Sequence, residues 1–182
     1  MIAPAVVLAS TLLAVGAVAT AADERPEQVV SLKPLAFLAG GLAAQYERQV
    51  GPPRLSVVGG LGWRSGVDGD FVSRALGLTT EVRWWVTGRW RRDPPTGRGQ
   101  VGPFFLGRAE LTRVGVHTAD RSRAVGHTHI FSESLGVGWR VSAWNVEVSP
   151  SVALGIITHT DDGFVPSSRP GGELGLTVGY RF

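Results

Sequence analysis

The residues of this chain best suited to metal ligation are its four histidines and the acids near them. His117, His127, His129 and His159 fall in or beside polar stretches that also carry Asp120, Asp161 and Asp162, and imidazole with carboxylate is a common ligand set. Nothing in the spacing fixes these stretches relative to one another. They read as solvated loop residues, and no metal or cofactor is assigned. A second candidate is His129 with Ser132, Glu133 and Ser134, because a hydroxyl nucleophile needs a base within hydrogen-bond reach. On a strand, however, residues 132 and 134 share one face while 129 and 133 take the other, so no His–Ser pair is presented. Cysteine is absent, which removes disulfides, thiolate zinc sites, iron–sulfur clusters and cysteine nucleophiles together. Gly59-Gly60-Leu61-Gly62 and Gly97-Arg98-Gly99 are not phosphate loops, since no Gly-Lys-Ser/Thr follows either run.

Composition bounds what can position these groups. The chain has 182 residues, 43% apolar and 18% charged, with a net charge of +3; that is enough chain for one domain and too apolar for a disordered one. Lys33 is the one lysine and the other basic residues are arginine, a skew read as codon bias and not as a nucleic-acid footprint. Arg89, Trp90, Arg91, Arg92 and Arg98 make a basic, aromatic-containing connection able to contact phosphate. Residues 1–22 carry no charge and end in small residues, Ala17-Val18-Ala19-Thr20-Ala21-Ala22. The expectation is a secretory signal peptide over 1–22 followed by one domain over 23–182. Export would remove the chain from nucleic acid.

The remainder alternates with period two. Leu174, Leu176, Val178, Tyr180 and Phe182 interleave with Glu173, Gly175, Thr177, Gly179 and Arg181, and Trp144 to Ile156 behaves alike for thirteen residues. Alternation of this length suits a tilted strand crossing a bilayer better than a strand of a soluble sheet. Eight strands are expected, over 29–38, 42–50, 54–63, 75–86, 102–114, 129–141, 144–157 and 171–182. Residues 51–53 and 142–143 would be tight turns, and 64–74, 115–128 and 158–170 long polar loops. Short turns at one end and long loops at the other describe an eight-stranded antiparallel up-and-down transmembrane β-barrel with periplasmic turns, although 39–41 is short where a loop is expected and 87–101 long where a turn is expected.

The same map sorts the side chains. It points Lys33, Arg83, Arg108, Arg140 and Arg181 inward together with Glu47, Glu81, Glu110, Glu147 and Glu173, a balanced network able to satisfy charges that would be costly unpaired. Tyr46, Trp84, Trp85, Trp139, Trp144, Tyr180 and Phe182 fall at the periplasmic strand ends, where rings with a polar tip prefer the membrane interface. An eight-stranded barrel has interior room for side chains and little else, so a wide solute channel is not expected.

The terminal Gly172-Glu173-Leu174-Gly175-Leu176-Thr177-Val178-Gly179-Tyr180-Arg181-Phe182 resembles the signal by which bacterial outer-membrane barrels are recognised by the barrel assembly machinery. Together with Tyr46-Glu47-Arg48 and Gly102-Pro103-Phe104-Phe105-Leu106-Gly107, the chain is similar to a largely uncharacterised family of small outer-membrane barrels. The resemblance implies an outer-membrane location, the assembly machinery and outer-membrane lipids as partners, and no cofactor. The expected role is non-enzymatic, structural or surface-interacting through the three long loops. The alternatives are a lipid A-modifying barrel enzyme and a soluble periplasmic lipid-binding barrel.

Overall fold

The computed structural model describes residues 28–50, 54–86, 101–118, 120, 124–161 and 166–182. The expected signal peptide, 1–22, and the basic stretch Arg89–Arg98 therefore lie outside the described residues. Eight strands follow in chain order: β1 (Gln28–Leu32), β2 (Gly41–Gln49), β3 (Leu55–Asp68), β4 (Phe71–Trp85), β5 (Gly102–Thr118), β6 (Ala124–Ala143), β7 (Val146–Asp161) and β8 (Ser167–Arg181). Each pairs antiparallel with the next, and β1 pairs with β8 to close the ring. Following the register from Val29 through Glu47, Val58, Glu81, Arg108, Ser134 and Gly155 reaches Gly171. That is ten residues from Arg181, the residue Val29 meets on closure. A stagger of this size in an eight-stranded ring goes with strands tilted about 40° to the axis. The start of β1 and the end of β8 lie at one end of the barrel, the terminus end; the β1–β2, β3–β4, β5–β6 and β7–β8 connections lie at the other, the far end.

Closure of the ring removes the sheet edges, so every strand finds backbone partners on both sides without help from water. Because side chains alternate, each strand gives one row to the lumen and one to the exterior. The buried apolar cluster sits inside the ring and consists of Trp85, Phe104, Leu106 and Ala153.

Three features depart from the sequence expectation. First, the stretch 29–38 is not one strand: β1 stops at Leu32, and Pro34–Leu38 forms a short helix, α1, that lies against β2 and β8. Pro34 cannot donate to a ladder and its fixed φ suits the first helical turn. Lys33 still donates its N–H to Ala43 O at 3.0 Å, and Gly40, at φ +72°, reverses the chain into β2. Second, the expected long loops at 64–74, 115–128 and 158–170 are mostly strand. β3 and β4 stay paired to Asp68 opposite Phe71, with Gly69 at φ +55° opening a two-residue turn, the position where a tight hairpin takes glycine. β5–β6 pairing runs out to His117 opposite Ala124 through one register shift, and β7–β8 pairing out to His159 opposite Ser167. Beyond the apolar band both faces meet water, so hydropathy alternation fades while backbone pairing continues. Third, the β6–β7 turn is at Trp144–Asn145 and not at 142–143.

Packing against the lumen cluster gives a test. A Cβ added to Gly138 would run into the Phe104 ring, whereas one added to Gly59 on the outer face meets no atom within 4 Å. Gly138→Ala should destabilise the refolded barrel by about 1–3 kcal/mol, as overpacking does, and Gly59→Ala should leave it near wild type. Urea midpoints of the two variants in detergent check this.

Candidate functional site

The inward rows of the barrel meet in one chain of opposite charges. Lys33 Nζ stands 3.9 Å from Glu173 Oε1, and Glu173 Oε2 accepts from Arg108 Nη1 at 2.5 Å. Arg108 continues to Glu81 (Nη2 to Oε2, 2.6 Å), which accepts from Arg83 Nε through its other oxygen at 2.5 Å. Arg83 Nη1 reaches Glu47 Oε2 at 2.6 Å, and the same carboxylate takes Arg140 Nη2. Arg140 Nη1 lies 3.0 Å from Glu147 Oε2, and Arg181 Nε donates to Glu147 Oε1 at 2.8 Å. Signs alternate without a break from Lys33 to Arg181.

The strand map explains why these groups meet. Glu81 and Arg108 are direct cross-strand partners, and Glu81 and Arg83 are successive inward positions on β4. The small ring lets side chains reach past a strand: Arg83 on β4 passes over the inward Ser56 of β3 to Glu47 on β2. The Arg140–Glu47 pair joins β6 to β2, four strands apart in a ring of eight, and so bridges the lumen. Hydroxyls fill remaining valences. Ser56 Oγ donates to Glu47 Oε1 at 2.7 Å, and Arg140 Nε donates to Ser149 Oγ at 3.1 Å. Glu110 also belongs to an inward row, but it accepts from Thr112 (3.0 Å) and Thr79 (3.4 Å) rather than joining the ion-pair chain.

Trp85 corrects the sequence expectation. It is not an interface aromatic but a lumen residue, 1% exposed, its ring tilted 49° against Phe104 at 4.8 Å with its Nε1 donating to Ser56 Oγ at 3.1 Å. The Arg140 guanidinium lies 4.6 Å from its ring and the Arg83 guanidinium 5.0 Å from the Phe104 ring, so the apolar cluster and the charge chain are one packed unit held partly by cation–π attraction. Strict alternation after the outward Trp84 already required this. Ser56, Ser149 and Phe104 were missed as site residues, although Ser56 and Ser149 stand at inward positions of the same alternation.

The exterior has the opposite character. Leu61, Leu76, Leu78, Leu135, Leu154 and Leu174 are all more than half exposed. A soluble protein does not leave a continuous girdle of leucine in water. At the terminus end the outward rows finish in Tyr46, Trp84, Trp139, Tyr180 and Phe182, with Trp144 in the β6–β7 turn. Tyr46 Oη donates to Gln28 Oε1 at 2.9 Å, and Asn145 Nδ2 donates to Tyr180 Oη at 3.2 Å, placing ring bodies on the apolar side and hydroxyls on the polar side. This is a small transmembrane β-barrel. Among the described residues no helix is long and apolar enough to cross a membrane; the strands do the crossing.

No family model and no curated protein matches the chain. Among solved structures it is similar to Neisserial surface protein A (NspA), at 16% identity and a TM-score of 0.45, over 86% of this chain and 96% of that one.

The remaining chemistry-bearing residues stay apart. The rings of His117 and His127 both lie against Gly115 on paired strands, while His129 stands opposite Arg113 and His159 opposite Ser167. Asp120 accepts from Thr118 Oγ1 at 2.5 Å, and the side chains of Asp161 and Asp162 lie outside the described residues. Among the described residues no three His, Asp or Glu gather around one point. Ser132 and Ser134 belong to the lumen row, opposite the inward Glu110 and Arg108, and His129 and Glu133 to the outer row, so the barrel wall separates the hydroxyls from the imidazole.

Arg140 touches two carboxylates, a serine and a tryptophan, so Arg140→Leu should leave Glu47 and Glu147 short of a counter-charge. Breaking a buried pair in this way costs about 3–5 kcal/mol. The variant should unfold at clearly lower urea than wild type in detergent, while Arg74→Leu, an exposed residue of β4, should not.

Proposed function

We propose that the protein is a non-enzymatic barrel of the bacterial outer membrane with a closed lumen, built to persist in the bilayer and to present its far-end hairpins at the cell surface. The observation that carries the reading is the Arg140–Glu47 bridge within an alternating chain of charges. It ties opposite walls together where a conducting barrel would hold water. An even number of antiparallel strands, an apolar outer band and terminal aromatics support the outer-membrane location, with the terminus end periplasmic. Outer-membrane lipids then solvate the wall, and the last strand, ending in the exposed Phe182, is the segment offered to the barrel assembly machinery. Surface interaction falls to hairpin tips and extended strands, because β3 to β8 continue through most of the stretches expected as loops.

The two alternatives lose support on geometry. A lipid-modifying enzyme working through His129 with Ser132 or Ser134 loses support because the wall separates that imidazole from both hydroxyls, and a soluble lipid carrier needs an apolar interior where this lumen holds buried Glu81, Arg83, Arg140 and Glu147.

Fractionation should place the full chain in the outer membrane, migrating faster on a denaturing gel when unboiled than when boiled. Reconstituted in planar bilayers, the wild-type barrel should give no channel-like current steps. Regular steps from most insertions would overturn the closed-lumen reading.

A further inference from the structure

One row of the outer face differs from its neighbours. Cross-strand pairing places Tyr46, Gly59, Thr80, Ala109 and Glu133 side by side across β2 to β6. The row on the far-end side is large, with Leu61, Leu78, Leu111 and Phe131, and the row below holds Val57, Val82, Gly107 and Leu135. Between them Gly59, Thr80 and Ala109 form the floor of a trough. Two adjoining hollows of about 600 and 540 Å³ lie along it, sharing Thr80 and Ala109. The trough is one side-chain row wide except at β5, where Gly107 widens it, and from Gly59 to Glu133 it crosses three inter-strand steps, about 14 Å at about 4.8 Å each. That is close to the acyl length of one leaflet, half of a hydrocarbon core about 30 Å thick.

A carboxylate closes the trough. Glu133 stands on the lipid-facing row, between Phe131 and Leu135 on its own strand and opposite Ala109 and Ile156 on the neighbours. Toward the far end, Thr158 and Ser168 stand one outward row beyond it on β7 and β8, and Arg113, His129 and Thr160 two outward rows beyond it on β5 to β7. Glu133 therefore stands at the far-end margin of the apolar band, and among the described residues no ion pair reaches it, unlike the carboxylates of the lumen chain. An ionisable group on the lipid side of a barrel is destabilising unless something in the membrane meets it.

We infer that this trough is a docking site for a single membrane lipid, one acyl chain lying over Gly59, Thr80 and Ala109 and a primary ammonium of the headgroup meeting the Glu133 carboxylate. The slot's length fits one chain, and the unpaired carboxylate selects a cationic hydrogen-bond donor. A charge-assisted hydrogen bond is about twice as strong as a neutral one, and a quaternary ammonium, having no N–H, cannot form it. The inference rests on the membrane-spanning reading and adds a ligand class to it.

The test uses the full-length barrel in detergent, incubated separately with phosphatidylethanolamine and phosphatidylcholine, with retained lipid counted by native mass spectrometry. Faster migration of each unboiled sample first establishes that the barrel is folded, so a failure of lipid binding is distinguishable from a failure of the barrel itself. Wild type should retain one phosphatidylethanolamine about tenfold better than phosphatidylcholine. Glu133→Gln should bring the two lipids within about threefold while leaving phosphatidylcholine retention unchanged. Gly59→Leu, whose side chain would project from an open glycine position into the trough, should lower retention of both. Equal retention of the two lipids by wild type, or retention unaffected by both substitutions, would overturn the site. So would a dimer that Gly59→Leu abolishes, which would make a second copy the occupant.

Discussion

The structure depends on one constraint, that the interior of an eight-stranded ring is too narrow to hold bulk water and too polar in this sequence to be dry. Charged groups packed there need partners, because an isolated ion in such surroundings costs several kcal/mol. Alternation of sign along Lys33, Glu173, Arg108, Glu81, Arg83, Glu47, Arg140, Glu147 and Arg181 meets that need with each inner member shared between two neighbours. The consequence is mechanical as well as electrostatic. Strands β2, β4, β5, β6, β7 and β8 are cross-linked through the lumen in addition to their ladders, so the ring cannot widen or slip register without separating charges.

Arginine suits this role in a way lysine does not. A planar guanidinium presents five N–H groups and can donate to two carboxylates at once, whereas an ammonium is a compact point charge. Arg83, Arg108 and Arg140 each bridge two glutamates, and Lys33 stands at the end of the chain, 3.9 Å from Glu173. The arginine skew, unremarkable as composition, supplies the bridging groups that this chain of lumen charges requires. Trp85 and Phe104 extend the same logic, offering ring faces to guanidinium groups whose edges are already occupied.

Where one face of a strand meets lipid and the other the lumen, the sequence carries a plain two-residue period, and the strands and the inward charges could be read from it. Legibility failed where the environment stops being two-sided. Residues 64–68, 71–74, 124–128 and 158–161 extend past the apolar band, so both faces take polar residues and a paired strand looks like a loop. At 34–38 the failure is local, because an apolar run broken by Pro34 is helix-compatible and a strand template cannot see that. Trp85 was misplaced for another reason. Residue type argued for the interface and position argued for the lumen, and position decides, since a one-residue displacement on a strand changes the face.

The lumen and the wall also differ in how much variation they tolerate, and this is why the outer row through Glu133 stands out. An inward residue is fixed by its partners: Gly138 faces the Phe104 ring and Ser56 serves both Glu47 and Trp85. Lipid chains conform to whatever the outer face presents, so large and small apolar residues can exchange there without penalty, and a glycine such as Gly59 needs no explanation by itself. A carboxylate is different. Hydrocarbon cannot conform to a charge, and the outward position of Glu133 gives it none of the arginines that its inward counterparts share. A row that is small along its floor and anionic at its end thus combines one feature the bilayer ignores with one it opposes, and the second turns a shallow trough into a site with a stated chemical preference.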